Sequence, residues 1–174
     1  MRKLLPLLIF ISFLSTQAFS QTQYEVLKDS ATGTKLYKGI ISRDLLSNDT
    51  AFGWWKDNFK AFTGKPEVLS QMTAAKNIEL IVYMGTWCED SHFLVPRLFN
   101  FLDAAKFPRD KVTVIAVDRT KRTVGHLAEA MNITNVPTVI VMRNGKEVGR
   151  VIEYGHDGVV EPELVDVIAG KGKD

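Results

Sequence analysis

Cysteine is almost absent: Cys88 stands alone among 174 residues. A single thiol excludes an internal disulfide framework and a cysteine-rich zinc site. Charge of one sign is missing as well. The 22 Lys and Arg face 20 Asp and Glu, a formal net charge of +2, and no basic tract interrupts the chain. That balance gives no electrostatic reason to expect nucleic acid or an anionic membrane surface as partner. The three histidines, His92, His126 and His156, share no ligand spacing, so no metal or other cofactor is expected. No apolar run reaches the ~20 residues that a membrane-spanning helix needs. Repeats and low-complexity stretches are also lacking. With 45% hydrophobic and 24% charged residues, what remains is an ordinary globular composition, and the length suits one domain.

The first twenty residues read as an address. Arg2 and Lys3 make a positive start, Leu4 to Leu14 is apolar apart from Pro6 and Ser12, and Ala18-Phe19-Ser20 offers small residues at a cleavage site. A secretory signal over 1–20 is expected, with a single domain over 21–174. The product would be soluble, periplasmic or secreted, with no membrane attachment after cleavage. Export makes the lone thiol notable, because an oxidising compartment exposes it to mixed disulfides. The alternative is a buried cysteine serving as a small hydrophobe.

Along the chain, Lys35 to Ser42 has the character of an edge strand. Asn48-Asp49-Thr50 is a helix start, and Phe52, Trp55, Phe59 and Phe62 follow on one helical face. This aromatic stripe suits core packing better than partner docking; Trp54 lies off it and is expected to be partly exposed. A second short helix fits Pro66 to Ala75. Ile78 to Met84 is a nearly continuous β-branched and aromatic run, as in a strand buried on both faces. A helix over 90–106 follows, burying Leu94, Leu98, Phe101, Leu102 and Ala105 and kinked by Pro96. Val112 to Val117 is a second buried strand, and Thr123 to Met131 a short helix. Strands over 138–142 and 147–154 flank Asn144-Gly145, a strong hairpin signal. Pro162 opens a closing helix. The order predicts an α/β fold, with two parallel strands joined by a helix, then a hairpin, and helices on both faces.

The first core strand runs into Gly85-Thr86-Trp87-Cys88-Glu89-Asp90-Ser91. Cys88 is thereby expected at the start of a helix, where unpaired N–H groups and the helix dipole favour a thiolate. Glu89 and Asp90 oppose this modestly. Ser91 either donates a hydrogen bond to the thiolate or caps the helix. His92, four residues after Cys88, suggests a Cys–His nucleophile pair. With no third orienting residue in sight, a solvated surface position is the better reading. Charged Arg119 to Arg122 reads as a solvated loop.

These features resemble the thioredoxin superfamily. The matches are Trp87-Cys88-x-x-Ser91 after a buried strand, Pro96 eight residues beyond the cysteine, and Val136-Pro137-Thr138 opening a later strand. They cover a core of about 78–169, with residues 21–77 as an N-terminal helical extension. The wider pattern is similar to exported bacterial thioredoxin-like proteins with a Trp-Cys-x-Asp-Ser motif. The resemblance implies a thioredoxin-like fold with a mixed central sheet. It also implies a cis Val136–Pro137 bond, a substrate-docking role for Val136 beside Pro137, and a groove lined by Trp87 and Gly155. Pro137 could otherwise be an ordinary strand-start proline.

Two departures limit the transfer. Ser91 stands where thioredoxins have the resolving cysteine, and Val82 where they bury a proton-accepting Asp. What the resemblance leaves is the first half of dithiol chemistry. Cys88 attacks a disulfide, and an external resolving thiol must release the product. Cys88 and Ser91 are the candidate catalytic pair. Disulfide- or thiol-bearing proteins or small thiols are the candidate substrates. A non-catalytic binding module, docking through the proline groove or the aromatic helix, is the alternative.

Overall fold

The computed structural model describes residues 23–60 and 63–172. The expected signal over 1–20, and Phe62 of the aromatic stripe, lie outside the described residues. Six strands form one mixed sheet: β1 (Tyr24–Lys28), β2 (Lys35–Ile41), β3 (Ile78–Met84), β4 (Val112–Ala116), β5 (Thr138–Arg143) and β6 (Lys146–Ile152), in spatial order β1-β2-β4-β3-β5-β6. Among the described strands β3 and β4 run parallel, and the other neighbouring pairs are antiparallel. The parallel pair requires a crossover, and α4 (Glu89–Ala104) provides it. The remaining helices are α1 (Arg43–Asn48), α2 (Trp54–Asn58), α3 (Pro66–Ala74), α5 (Leu127–Ala130) and α6 (Val160–Ile168).

Side-chain alternation along β3 divides the interior in two. Ile78, Leu80, Val82 and Met84 join the larger core, which also holds residues from α1 to α4 and α6. Tyr83 faces the smaller one with Ile115, Val117, Ala128, Ile133, Val136 and Ile140. Among the described residues helices cover both faces, unevenly: five pack on one side and α5 alone, with the 3₁₀ turn Val124–His126 before it, on the other. That turn splits the expected single helix, because Gly125 (φ 69°) and His126 (φ 57°) leave right-handed helical geometry.

The N-terminal extension differs most from expectation. It is not only helical, since β1 and β2 both join the sheet. Lys35–Ile41 is an interior strand between β1 and β4 rather than an edge strand. β1 escaped notice because four of its five residues are exposed, so no buried alternation marks it. The aromatic stripe breaks into a 3₁₀ turn, Thr50–Phe52, and the short α2. Its purpose is packing: Phe52 and Trp55 are each 3% exposed, and Trp55 stands against Phe59 and Phe99 at ring separations of 6.3 and 5.6 Å. Asn144 (φ 52°) and Gly145 (φ 74°) both adopt the left-handed backbone that a two-residue hairpin turn between β5 and β6 requires.

Candidate functional site

Cys88 is the N-cap residue of α4, extended in backbone (φ −99°, ψ 121°), half-buried and free. The turn before it is tight. Cys88 N–H donates to the Gly85 carbonyl at 3.0 Å, and its own carbonyl accepts from His92 N–H at 2.9 Å. Gly85 has no space for a side chain, because a Cβ there would lie 2.7 Å from Cε2 of Trp87. The Trp87 indole N–H donates to the Val117 carbonyl at 2.9 Å, laying the ring against the end of β4.

The loop before β5 supplies the other wall. Val136 and Pro137 are joined by a cis peptide bond. Cys88 Sγ donates to the Val136 carbonyl at 3.2 Å. The docking residue implied by the thioredoxin resemblance is therefore in direct contact with the sulfur, its carbonyl taken by the resting thiol. Gly155 sits in the turn between β6 and α6, with φ 70° and its N–H bonded to the Ile152 carbonyl at 2.9 Å. Any side chain there would collide with Glu163, whose carboxylate also accepts from His156 N–H. Beside it, Tyr154 reaches toward the cysteine helix, donating from its hydroxyl to Asp90 at 2.9 Å. That acceptor, with partial burial, raises the Tyr154 hydroxyl above its ordinary range, and the Cys88 sulfur adds to the same effect.

Ser91 is fully buried, and its Oγ accepts from Gly85 N–H at 3.2 Å. It makes no hydrogen bond to Cys88 Sγ in this resting state. The bond to Gly85 occupies a lone pair of the hydroxyl and leaves its proton uncommitted. Ser91 thus ties the first turn of α4 to the loop that carries the cysteine. Val82, at the position of the absent proton acceptor, is fully buried in the larger core.

Of the residues read as solvated surface, His92 is partly covered, and Arg119, exposed as expected, is nonetheless tethered. His92 is half-buried and stacked on Trp54, with Nε2 2.9 Å from the Thr86 carbonyl. Burial lowers its pKa below the usual histidine value. Arg119 grips Asp29 through Nε and Nη2 at 2.8 to 3.0 Å. Its guanidinium lies 4.9 Å from the centre of the Trp87 ring. Asp29 is 2% exposed and, held by Arg119, its carboxyl is lowered to about 2. No local signal could have revealed either contact, since the partners lie far apart in sequence. Among the described residues, no group of three or more His, Cys, Asp or Glu could hold a metal ion, and no helix is long and apolar enough to cross a membrane.

The family model described as Thioredoxin matches residues 61–164, more than half of the chain. The chain belongs to the thioredoxin family. Curated thioredoxins agree. The protein from Chlamydia pneumoniae is 30% identical over 78 residues, covering 45% of this chain and 71% of its own length. The one from Echinococcus granulosus is 32% identical over 90 residues, covering 51% and 78%. Among solved structures, oxidized mitochondrial thioredoxin 3 from Saccharomyces cerevisiae overlays with a TM-score of 0.40 at 17% identity, over 67% of this chain and 98% of that one. A function of the thiol–disulfide oxidoreductase type, acting on thiol or disulfide substrates, follows from this membership at a general level. The family match leaves residues 23–60 outside it, and these supply β1, β2, α1, α2 and the Trp54 stack on His92.

Proposed function

We propose that this protein is a monothiol member of the thioredoxin family, exported to the periplasm or the medium, which exchanges disulfides through Cys88 alone. The observation that carries the reading is the placement of Cys88. Cys88 occupies the N-cap position of α4 and is half-buried, and its thiol donates to the carbonyl of Val136 beside the cis Pro137. Attack on a disulfide joins Cys88 Sγ to one substrate sulfur and expels the other as a thiolate. An external thiol then releases the mixed disulfide and restores Cys88. In this scheme Val136 and Pro137 form the docking platform, Trp87 and Gly155 flank it, and the uncommitted proton of Ser91 is available to the sulfur. No cofactor is invoked.

The experiment is intact-mass analysis after incubation with an oxidised small thiol. A single adduct on the wild type, reversed by excess free thiol and absent from Cys88→Ser, is expected. A folded wild type that takes no adduct would sink the reading and leave a thioredoxin-fold binding module. That second reading loses one of its two proposed surfaces, because Phe52 and Trp55 are spent on the core. For export, N-terminal sequencing of the extracytoplasmic pool should find a chain starting near Gln21; an intact Arg2-Lys3 terminus there would refute it.

A further inference from the structure

Two cations sit on the indole of Trp87, the residue before Cys88. The Arg119 guanidinium carbon is 4.9 Å from the ring centre, and Lys121 Nζ is 5.5 Å from it. Arg119 is held in place, because the nearly buried Asp29 engages its Nε and Nη2. Among the described residues its Nη1 makes no hydrogen bond, and its side chain is 39% exposed. Lys121 makes no ion pair among the described residues, and its backbone φ of 59° fixes it at the tip of the loop after β4. Trp87, whose ring both cations approach, also lies at the thiol turn through its place in the chain, which brings the two charges to the neighbourhood of Cys88. Of the nearby carboxylates, Asp90 accepts from Tyr154, Asp118 is paired with Lys38, and Glu89 is exposed to solvent, where screening weakens it. A rigid, half-exposed guanidinium beside a nucleophile is suited to a planar anion, with the neighbouring ammonium adding a second positive charge.

We propose that Arg119 and Lys121 select disulfides that carry a carboxylate within a few bonds of the sulfur attacked by Cys88. This rests on the exchange reading above and names the substrate class for that site. The step is R–S–S–R plus Cys88 thiolate giving Cys88–S–S–R plus R–S⁻. The Cys88 sulfur is oxidised, the leaving sulfur is reduced, and the thiol proton has gone to water beforehand. A free external thiol later reverses the adduct. The substrate carboxylate stays near the two cations throughout and takes no part in bond making.

Three symmetric disulfides of similar size separate the possibilities: anionic 3,3′-dithiodipropionate, neutral bis(2-hydroxyethyl) disulfide and cationic cystamine. Rates of Cys88 adduct formation, each divided by the rate of the same disulfide with a free small thiol to cancel leaving-group reactivity, should run anionic, neutral, cationic, with steps of about three- to fivefold, the effect of a unit charge ~5 Å away in water. The anionic-to-neutral ratio should shrink in 1 M salt, where the Debye length falls to about 3 Å. It should drop below one in Lys121→Glu, and it should fall in the paired variant Asp29→Asn with Arg119→Gln, which removes the guanidinium without stranding a buried carboxylate. If the neutral disulfide reacts but the three normalised rates are equal, or the cationic one leads, the inference is wrong and exchange chemistry stands. If none of the three forms an adduct, the exchange reading fails and takes the inference with it. The salt dependence of the wild type decides the matter even if a variant does not fold.

Discussion

Trp54 and His92 stack face to face, with ring centroids 4.3 Å apart and planes 14° from parallel. One comes from α2 in the N-terminal extension, the other from the first turns of the cysteine helix. The same imidazole is bonded through Nε2 to the Thr86 carbonyl, two residues before Cys88. The extension thereby buttresses the loop that carries the thiol, and it does so with an imidazole that burial holds below its ordinary pKa.

A histidine that resists protonation when folded makes stability depend on pH. The unfolded chain takes up a proton as pH falls below about 6.5, and the folded chain lags behind it. Stability should therefore be unaffected by His92 above that pH and decline as pH drops through the interval below it. His92→Phe keeps a ring against Trp54 and removes the titration. Denaturant midpoints at pH 8 and pH 5 should differ less for His92→Phe than for the wild type; equal differences would refute the claim.

Asp29 acts in the same direction at lower pH, through a stabilisation lost on acidification rather than a penalty gained. Its carboxyl is lowered from 3.8 to about 2 by Arg119 and by the Ala31 N–H. The stabilisation is complete above the unfolded value and is lost as pH falls through about 2. Asp29→Asn should be less stable than the wild type at neutral pH, and the gap should close in strong acid. A gap that persists undiminished at pH 2 would show that the pairing contributes through packing rather than charge.

Ser91→Cys tests attack geometry. It should rebuild two thiols on one helical turn, form an internal disulfide detectable as a loss of two hydrogens, and confer slow reductase turnover on insulin. The lost hydrogen bond to Gly85 should cost about 1 kcal/mol. Adding Val82→Asp should raise turnover by supplying a proton acceptor. Placing that carboxylate at a fully buried site should lower stability by roughly 3 kcal/mol. A folded Ser91→Cys protein that neither closes the disulfide nor reduces insulin would show that Cys88 is not aimed for exchange.

Trp55→Ala should cost about 3–5 kcal/mol, the usual loss for a large aromatic removed from a core. Thermal or chemical denaturation measures it. A loss below about 1 kcal/mol would be the value for a surface residue, and would return the aromatic helix to the list of docking surfaces.

The succession from β3 to α6 was legible in the sequence because each element is dictated locally. Ile78 to Met84 is a β-branched and aromatic run, Asn144-Gly145 enforces a hairpin turn, and the residues after Cys88 repeat at helical spacing. The place of Cys88 at a strand-to-helix junction came from the same local rules. The tertiary structure alone decided what surrounds it. β1 is exposed on four of five residues and has no periodic signature; it exists as a strand because β2 pairs with it. His92 has the sequence neighbourhood of a surface residue and is half-buried because Trp54 covers it. Arg119 lies in a charged, hydrophilic loop and becomes a fixed cation beside Trp87 because a nearly buried carboxylate, 90 residues away in the chain, is held against it. Hydrophobic periodicity records which face of an element is buried, but not which distant side chain buries it. A polar contact between remote segments forms only once the sheet has brought them together.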